Sequence, residues 1–467
     1  MIRSKQTLAS LTIAALLFGS VGNAFAQFRP ETQGHLDAAT RNTLGDPDLT
    51  DNYRYYFCGY TDNPGFVNVV RSWNTIPIPL TQIADDVWYL GSKYVGQYIL
   101  RSPTGFMLVD SLNNTAEAQN LTIPALQSLG LSASLPLDAV YLTHGHGDHD
   151  GGALYLRNTL NPRIYLGSAD ANNKSYNPIR IDSTNLAPQP VTMGGRTVTF
   201  LPTPGHTPGT TAAVIPVQDN GREVRLLVTG GSNMGNLSTA WPYFASVERT
   251  YALAKAMNVE GGLHPHQFFE GTLQKILASG LAKPSQYVVG NDKYMRGLAV
   301  WRECTAAFVT NLDATATIPT WRASKTEFLA ASPAANRLAA RVYNGWGPVA
   351  GEEVTFTVEG RGSACSAVTD TNGVAQCRST LGPLKEREDL VTASFEGADH
   401  SDYIDLGSKV TALANNACAD LAAIKAAMGA RVGDARYAAA LDVDQNGVID
   451  GRDLSSVTRD FQPGFCK

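Results

Sequence analysis

The sequence predicts an α/β body followed by a small β-sandwich and a short helical tail. Three observations carry this reading. Between residues 81 and 312, runs rich in β-branched and aromatic residues interleave with amphipathic helical stretches. From about 331 to 412 the helical spacing gives way to short alternating strands set between turn residues. From 413 onward, helical spacing returns around one loop crowded with aspartates. At 467 residues the chain exceeds what one hydrophobic core organises, and 43% apolar with 17% charged residues is a globular composition. A net charge of −5 without basic runs gives no electrostatic reason to expect nucleic acid or an anionic membrane as partner.

The first segment, 1–26, differs in kind. Arg3 and Lys5 precede the apolar run "LASLTIAALLFGSVG", which ends in the small-residue site "AFA" before Gln27. This is the plan of a secretory signal peptide cleaved after Ala26, and the run is too short for a membrane span. A secreted or periplasmic protein is expected, with no membrane span. Residues 27–80 are polar and turn-rich around the aromatic patch "NYRYYFCGY", and read as an extension wrapped on the main domain.

The main domain, 81–312, opens with "VWYLGSKYVGQYILRSPTGFMLVD", successive strands with a tight turn at Pro103-Thr104-Gly105. "AEAQNLTIPALQSLG" has helical spacing, and "LDAVYLTH" is a buried strand. "PRIYLG", "RTVTFLPTPGH", "TAAVIPV" and "VRLLVTGG" are further strands. "VERTYALAKAMN", "GTLQKILASG" and "DKYMRGLAVWRECTAAFVTNL" are amphipathic helices. A linker over 313–330 then leads to the sandwich at 331–412. An exported chain makes its six cysteines candidates for disulfides. Cys365 and Cys377 flank the turn signal "TDTNG" as hairpin strands would, and Cys418 and Cys466 bracket the tail. By elimination Cys58 meets Cys304, although six cysteines allow 15 connectivities.

The chemistry concentrates in "LTHGHGDHDGG", residues 142–152, where His144, His146, Asp148 and His149 crowd together after a strand. Neutral imidazole and carboxylate suit zinc, and a catalytic zinc keeps one position open for water. Gly145 and Gly147 are expected to let the backbone fold tightly enough for these side chains to converge. His206 in "LPTPGHTPGT" and His264 and His266 in "GGLHPHQFFEGT" are the next candidates, so that six of eight histidines fall between 144 and 266. Most lone histidines are ordinary surface or core residues, but four unpaired ligands packed together point to metal.

"THGHGDHDGG", followed about 60 residues later by "TPGHTPG", resembles the metallo-β-lactamase superfamily. The resemblance covers roughly 81–312 and implies an αββα sandwich with two zinc ions. It implies that His144, His146 and His206 hold the first zinc, and that Asp148, His149 and a late histidine hold the second. "PHQFFEGTLQKI" fits the family's late step with His266 as ligand, leaving His264 behind it or facing substrate. "RLLVTGGSNMGN" carries neither the aspartate nor the cysteine that other branches place there, and so is similar to the third subclass (B3) of zinc β-lactamases. That likeness implies a zinc-activated hydroxide, oriented by Asp148 as catalytic residue, attacking a β-lactam carbonyl. Ser232 and Asn233 are candidates to bind the carboxylate of a small-molecule substrate, and Trp241, Tyr243 and Phe244 to wall its pocket.

In the tail, 413–467, "DVDQNGVIDGRD" has calcium-loop spacing. Asp442, Asp444, Asn446, Val448, Asp450 and Asp453 are the candidate ligands of one Ca²⁺. The loop and its helix resemble a dockerin repeat, and "ADLAAIKAAMG" echoes the second helix, but a first calcium loop is missing. A cohesin-like or cell-surface partner is the corresponding expectation. "GPVAGEEVTFTV" and "ACSAVTDTNGVAQC" resemble a bacterial Ig-like domain. Three functions stay open: a β-lactamase, a di-zinc hydrolase of another amide, lactone or ester, and a scaffold-binding protein with a vestigial site.

Overall fold

The computed structural model describes residues 28–271, 274–276, 285–333, 336–414 and 418–458. The expected signal segment, the expected Cys418–Cys466 pairing and most of the expected helix at 271–280 lie outside the described residues. The first sheet has seven strands in chain order: β1 (Pro77–Ala84), β2 (Val87–Ser92), β3 (Gly96–Ser102), β4 (Gly105–Val109), β5 (Leu137–Tyr141), β6 (Arg163–Gly167) and β7 (Ile179–Ile181). Pairing is antiparallel from β1 to β4 and parallel from β4 to β7. The second sheet is ordered β12-β11-β10-β9-β8, from β8 (Gln189–Met193), β9 (Arg196–Pro202), β10 (Thr211–Asp219), β11 (Arg222–Val228) and β12 (Gly261–Gly262).

These sheets pack face to face because their strands are apolar on both faces. In β3, Tyr98 and Leu100 enter the core between the sheets, where they join Met107, Phe200, Ile215 and Leu226. Ile99, one residue out of phase, joins the outer core with Leu126, Val140 and Leu156. That outer core is roofed by the stretch Ile123–Ser128 and by α4 (Ala153–Leu160). Against the other sheet lie α5 (Leu237–Ala256) and α6 (Asn291–Leu312). The layers therefore run helix, sheet, sheet, helix.

The extension wraps on the main domain as helices, despite its polar and turn-rich composition. It contains α1 (Pro30–Asn42), a wide-wound helix Leu49–Phe57 that continues into α2 (Cys58–Asp62), and α3 (Phe66–Ser72). The aromatic patch explains the difference: Tyr53, Tyr56 and Phe57 are buried on α6 and the 268–269 loop, so tertiary packing outweighs weak helix propensity. Cys58 is bonded to Cys304 of α6, which fixes this layer covalently.

The region expected to be a linker is not loop throughout. Thr320–Ala323 (β13) pairs in parallel with β21 (Tyr403–Leu413), and β14 (Lys325–Ser332) pairs with β15 (Arg337–Asn344). Both belong to the sandwich, whose sheets run β13-β21-β20-β17-β18 and β14-β15-β16 with β19 on β15. Here β16 is Gly347–Pro348, β17 is Glu353–Val358, β18 is Gly362–Val368, β19 is Val374–Arg378 and β20 is Leu390–Asp399. The Cys365–Cys377 disulfide forms, but between sheets: Cys365 lies in β18 and Cys377 in β19, which pair with different partners. The turn between them crosses the sandwich and does not close a hairpin. The tail adds α7 (Cys418–Ala427) and α8 (Gly451–Thr458) around a small core of Ile424, Leu441 and Ile449.

Candidate metal centre

The site is assembled at one end of the paired sheets, from loops that leave the strands. β5 runs through Leu142 and Thr143 into His144, His146 and the helical turn Gly147–Asp150 that carries Asp148 and His149. His206 lies between β9 and β10. His266 follows β12 and precedes the tight turn Gln267–Glu270. The Tyr141 hydroxyl donates to the Thr211 carbonyl at 2.7 Å, and the Thr211 amide to the Thr143 carbonyl at 2.9 Å, tying the two sheet ends together.

Two groups of donors result. His144 Nε2, His146 Nδ1 and His206 Nε2 stand 3.1 Å apart on all three edges. His149 Nε2 and His266 Nε2 are 3.3 Å apart, with an Asp148 carboxylate oxygen 3.6 and 3.7 Å from them. Four of these rings have their second nitrogen already engaged. His149 Nδ1 donates to Asp110 Oδ2 at 2.7 Å, His206 Nδ1 to the Asn233 carbonyl at 2.8 Å, and His266 Nδ1 to the Tyr94 carbonyl at 3.0 Å. His144 Nδ1 meets Thr143 Oγ1 at 3.1 Å, and that hydroxyl donates onward to Asp110 Oδ2, so the ring nitrogen is the donor. The Nε2 atoms of His144 and His206 therefore face each other in one group, and those of His149 and His266 in the other. Lone pairs opposed at this distance repel, and a cation among them converts that repulsion into coordination. Tetrahedral zinc with bonds of about 2.0–2.1 Å sets its nitrogens about 3.3 Å apart, close to the spacing seen here. The donor set fits zinc.

Burial and the neighbouring imidazoles hold His144 neutral, well below the ordinary histidine range. Burial likewise pushes His206 down to about 4 and His266 to about 3. Burial also opposes protonation of His149, but the Asp110 carboxylate beneath it wins and raises that ring. For Asp148, burial opposes ionisation, and His149 and His266 more than compensate, holding the carboxyl below the usual range.

Several residues that matter here were not anticipated. Asp110 is fully buried and at φ 62°; it also accepts the Thr143 amide at 2.8 Å, so one carboxylate orients both His144 and His149. Its only sequence signal is a carboxylate directly after the apolar strand "GFMLV". Asp170 staples two ligand loops by accepting the Gly145 amide at 2.9 Å, the Thr207 hydroxyl at 2.6 Å and the Gly209 amide at 2.8 Å. "SADANN" gives no hint of that role. The glycine that the site requires is Gly231, where a Cβ would lie 1.8 Å from the His206 ring. Of the two glycines expected to allow a tight fold, a Cβ on Gly145 would stand 3.1 Å from Asp170 Cβ, whereas a side chain at Gly147 would meet nothing.

Above the cluster lies a cleft of about 230 Å³ that Ser232 and Asn233 line. Its aromatic walls are Tyr60, Tyr94, Phe268 and Phe269. Trp241, Tyr243 and Phe244 do not reach it: Tyr243 and Phe244 are buried in the helical layers, and Trp241 donates to Asp313 at the surface. His264 stands behind the donors, its Nδ1 accepting the His266 amide at 2.9 Å.

Residues 94–219 match the model of the Metallo-beta-lactamase superfamily. They form a metallo-β-lactamase superfamily domain. That span of the domain contains Asp110 and the donors from His144 to His206, whereas Ser232, Asn233 and His266 lie beyond it. A curated hydroxyacylglutathione hydrolase of Acidiphilium cryptum is 40% identical over 73 residues, 16% of this chain and 28% of the relative. The chain thus spans little more than a quarter of that relative's length. Among solved structures, the subclass B3 metallo-β-lactamase BJP-1 of Bradyrhizobium japonicum is similar at 20% identity and TM-score 0.40, covering 50% of this chain and 94% of its own. A metallo-β-lactamase of Cronobacter sakazakii gives 21% and 0.43, over 53% of this chain and 98% of its own. A β-lactamase of Chitinophaga pinensis gives 18% and 0.41, over 51% and 96%.

Away from this domain, carboxylate oxygens of Asp442, Asp444 and Asp453 gather within 4.8 Å of one another. Asp442 and Asp453 are buried. Asn446 accepts the Val448 amide at 2.8 Å, and Asp450 accepts the Arg452 amide at 2.7 Å at the start of α8.

Proposed function

We propose that the chain is an exported di-zinc hydrolase that opens the cyclic amide of β-lactams. The observation that carries this reading is the convergence of five imidazoles, four of them oriented through their second nitrogen, and one ionised carboxylate beneath a cleft of small-molecule size. His144, His146 and His206 would hold one zinc, and Asp148, His149 and His266 the other. When bound, such a pair supplies Lewis acidity and lowers the pKa of water to about 7. The protein's own part is positional. Asp148, ionised at the floor of the cleft, accepts a hydrogen bond from the attacking water and aims its lone pair at the carbonyl carbon. Addition of that water, cleavage of the C–N bond and protonation of the nitrogen complete the hydrolysis. Ser232 and Asn233 lie where they would hydrogen-bond a substrate carboxylate. The two disulfides suit the oxidising compartment that export implies, and among the described residues no helix is long and apolar enough to cross a membrane.

Purified protein is expected to hydrolyse a chromogenic cephalosporin, to lose that activity to a chelator and to regain it with zinc. Zinc-replete protein that turns over no β-lactam class would remove the lactamase reading. A di-zinc hydrolase of another amide, lactone or ester would then stand, a reading favoured by the extension that walls the cleft through Tyr60. Asp442, Asp444, Asn446, Val448, Asp450 and Asp453 are proposed as a Ca²⁺ loop on the strength of the gathered carboxylates. Calcium should raise the melting temperature of the tail and magnesium should not. A dockerin-like role predicts Ca²⁺-dependent binding of the full chain to a purified cohesin.

A further inference from the structure

The N-terminal extension does more than cover the helical layer, because its last helix reaches the cleft. Arg71, in the final turn of α3, lines the cleft beside Tyr60 and Tyr94. It is the one Lys or Arg among the described lining residues, and Asp148 is the one acid. No carboxylate lies within 4.0 Å of Arg71 among the described residues. Beside it, burial and then the Asp148 charge push the Tyr94 phenol up, and Arg71 draws it back down. Tyr60 and Ser232 line the same cleft. Arg71, Tyr60, Tyr94 and Ser232 therefore share one cleft with the donor cluster.

The backbone that carries this cation is anchored. Val70, its neighbour, is buried at 2% exposure, and the Phe66 ring packs edge-on against Tyr56 at 5.9 Å and Tyr60 at 5.1 Å. Four residues ahead of α2's end, Cys58 is bonded to α6. An Arg held this way at the rim of a small cleft, without an internal acid, has its charge available for a ligand. A planar guanidinium offers a carboxylate two parallel donors, and the neighbouring phenols and hydroxyl suit its remaining lone pairs.

We propose that Arg71 selects substrates that bear a carboxylate, pairing with that group while the scissile amide or ester lies over Asp148. The inference rests on the hydrolase reading and assigns its substrate class to a residue of the extension. The test compares a cephalosporin acid with its methyl ester in zinc-loaded wild type, Arg71→Ala and Arg71→Lys. Arg71→Ala should raise KM for the acid by about tenfold with kcat little changed, leave the ester unaffected, and be partly rescued by Arg71→Lys. Equal effects on acid and ester, or none on the acid, would overturn it. If wild type hydrolyses neither, the lactamase reading fails and calorimetry with phenylacetate and phenylacetamide still decides this one. Phenylacetate should bind Arg71→Ala about tenfold more weakly than wild type, with the amide indifferent to the change, and equal phenylacetate affinities would refute the assignment.

Discussion

Asp110 reaches no solvent and lines no cleft, yet two of the donor rings take their orientation from its Oδ2. Asp110→Asn keeps the volume and removes the charge that the His149 Nδ1 proton faces. Zinc affinity, read by chelator competition, is expected to fall about 10–100-fold while the fold persists. Unchanged affinity would show that the ring is held by packing alone. This residue also marks where reading from sequence stops. His144, His146, Asp148 and His149 were legible because six consecutive positions carry them, and His206 and His266 because their flanking turns are distinctive. Asp110 bonds to Thr143 and His149 across 33 and 39 positions, and a single aspartate after a strand looks like any other loop start. Asp170 was hidden for the same reason.

Among elements, the clamp between α1 and α6 sets how the extension sits. His35 of α1 meets Glu303 Oε2 at 2.7 Å, and the other oxygen of Glu303 accepts from Arg302 at 2.6 Å and from the Trp321 amide at 2.9 Å. Arg302 is itself held between the Phe244 and Trp321 rings, 4.8 and 4.6 Å from their centroids. Burial disfavours the Glu303 charge, but Arg302 and His35 overcome it and hold the carboxyl below its usual range. A depressed folded-state pKa stabilises the fold above the unfolded value of about 4.3, and that contribution drains away as pH falls through the folded value. Glu303→Gln should therefore cost about 3 kcal/mol at neutral pH by denaturant melts. The gap to wild type should narrow in acid, and a gap independent of pH would refute the charge argument. The disulfide next to this clamp makes a second prediction. Replacing Cys58 and Cys304 together by serine should destabilise the protein by about 2–5 kcal/mol, and a melting temperature unchanged by the double replacement would refute it. Their pairing was legible by elimination, and the helix of Cys304 was legible too, whereas the extension's helices around Cys58 were not, since Tyr and Phe packing decides them.

At the scale of the molecule, α1 touches both the α/β body and the sandwich. Asn42 donates to the Trp321 carbonyl at 2.9 Å and accepts the Ala323 amide at 2.8 Å, so it mimics a strand partner for β13. Arg41 and Arg322 lie over the Trp346 ring, and a Cβ on Gly345 would stand 2.3 Å from the Arg41 carbonyl. Composition hid this junction: residues 313–326 contain Pro, Thr and Ala in linker-like order, and β13 becomes a strand only because β21, about 80 residues later, offers an edge. The sandwich is thus built into the body through buried hydrogen bonds, which predicts shared unfolding. Wild type should melt in one calorimetric transition for these two parts. Asn42→Ala leaves a buried carbonyl and amide unpaired, a cost of about 1–3 kcal/mol placed at the junction itself. The variant should then show two transitions, with the sandwich melting apart from the metal-binding body. A single transition in both proteins, displaced to lower temperature in the variant, would mean that the junction adds stability without coupling the domains through Asn42.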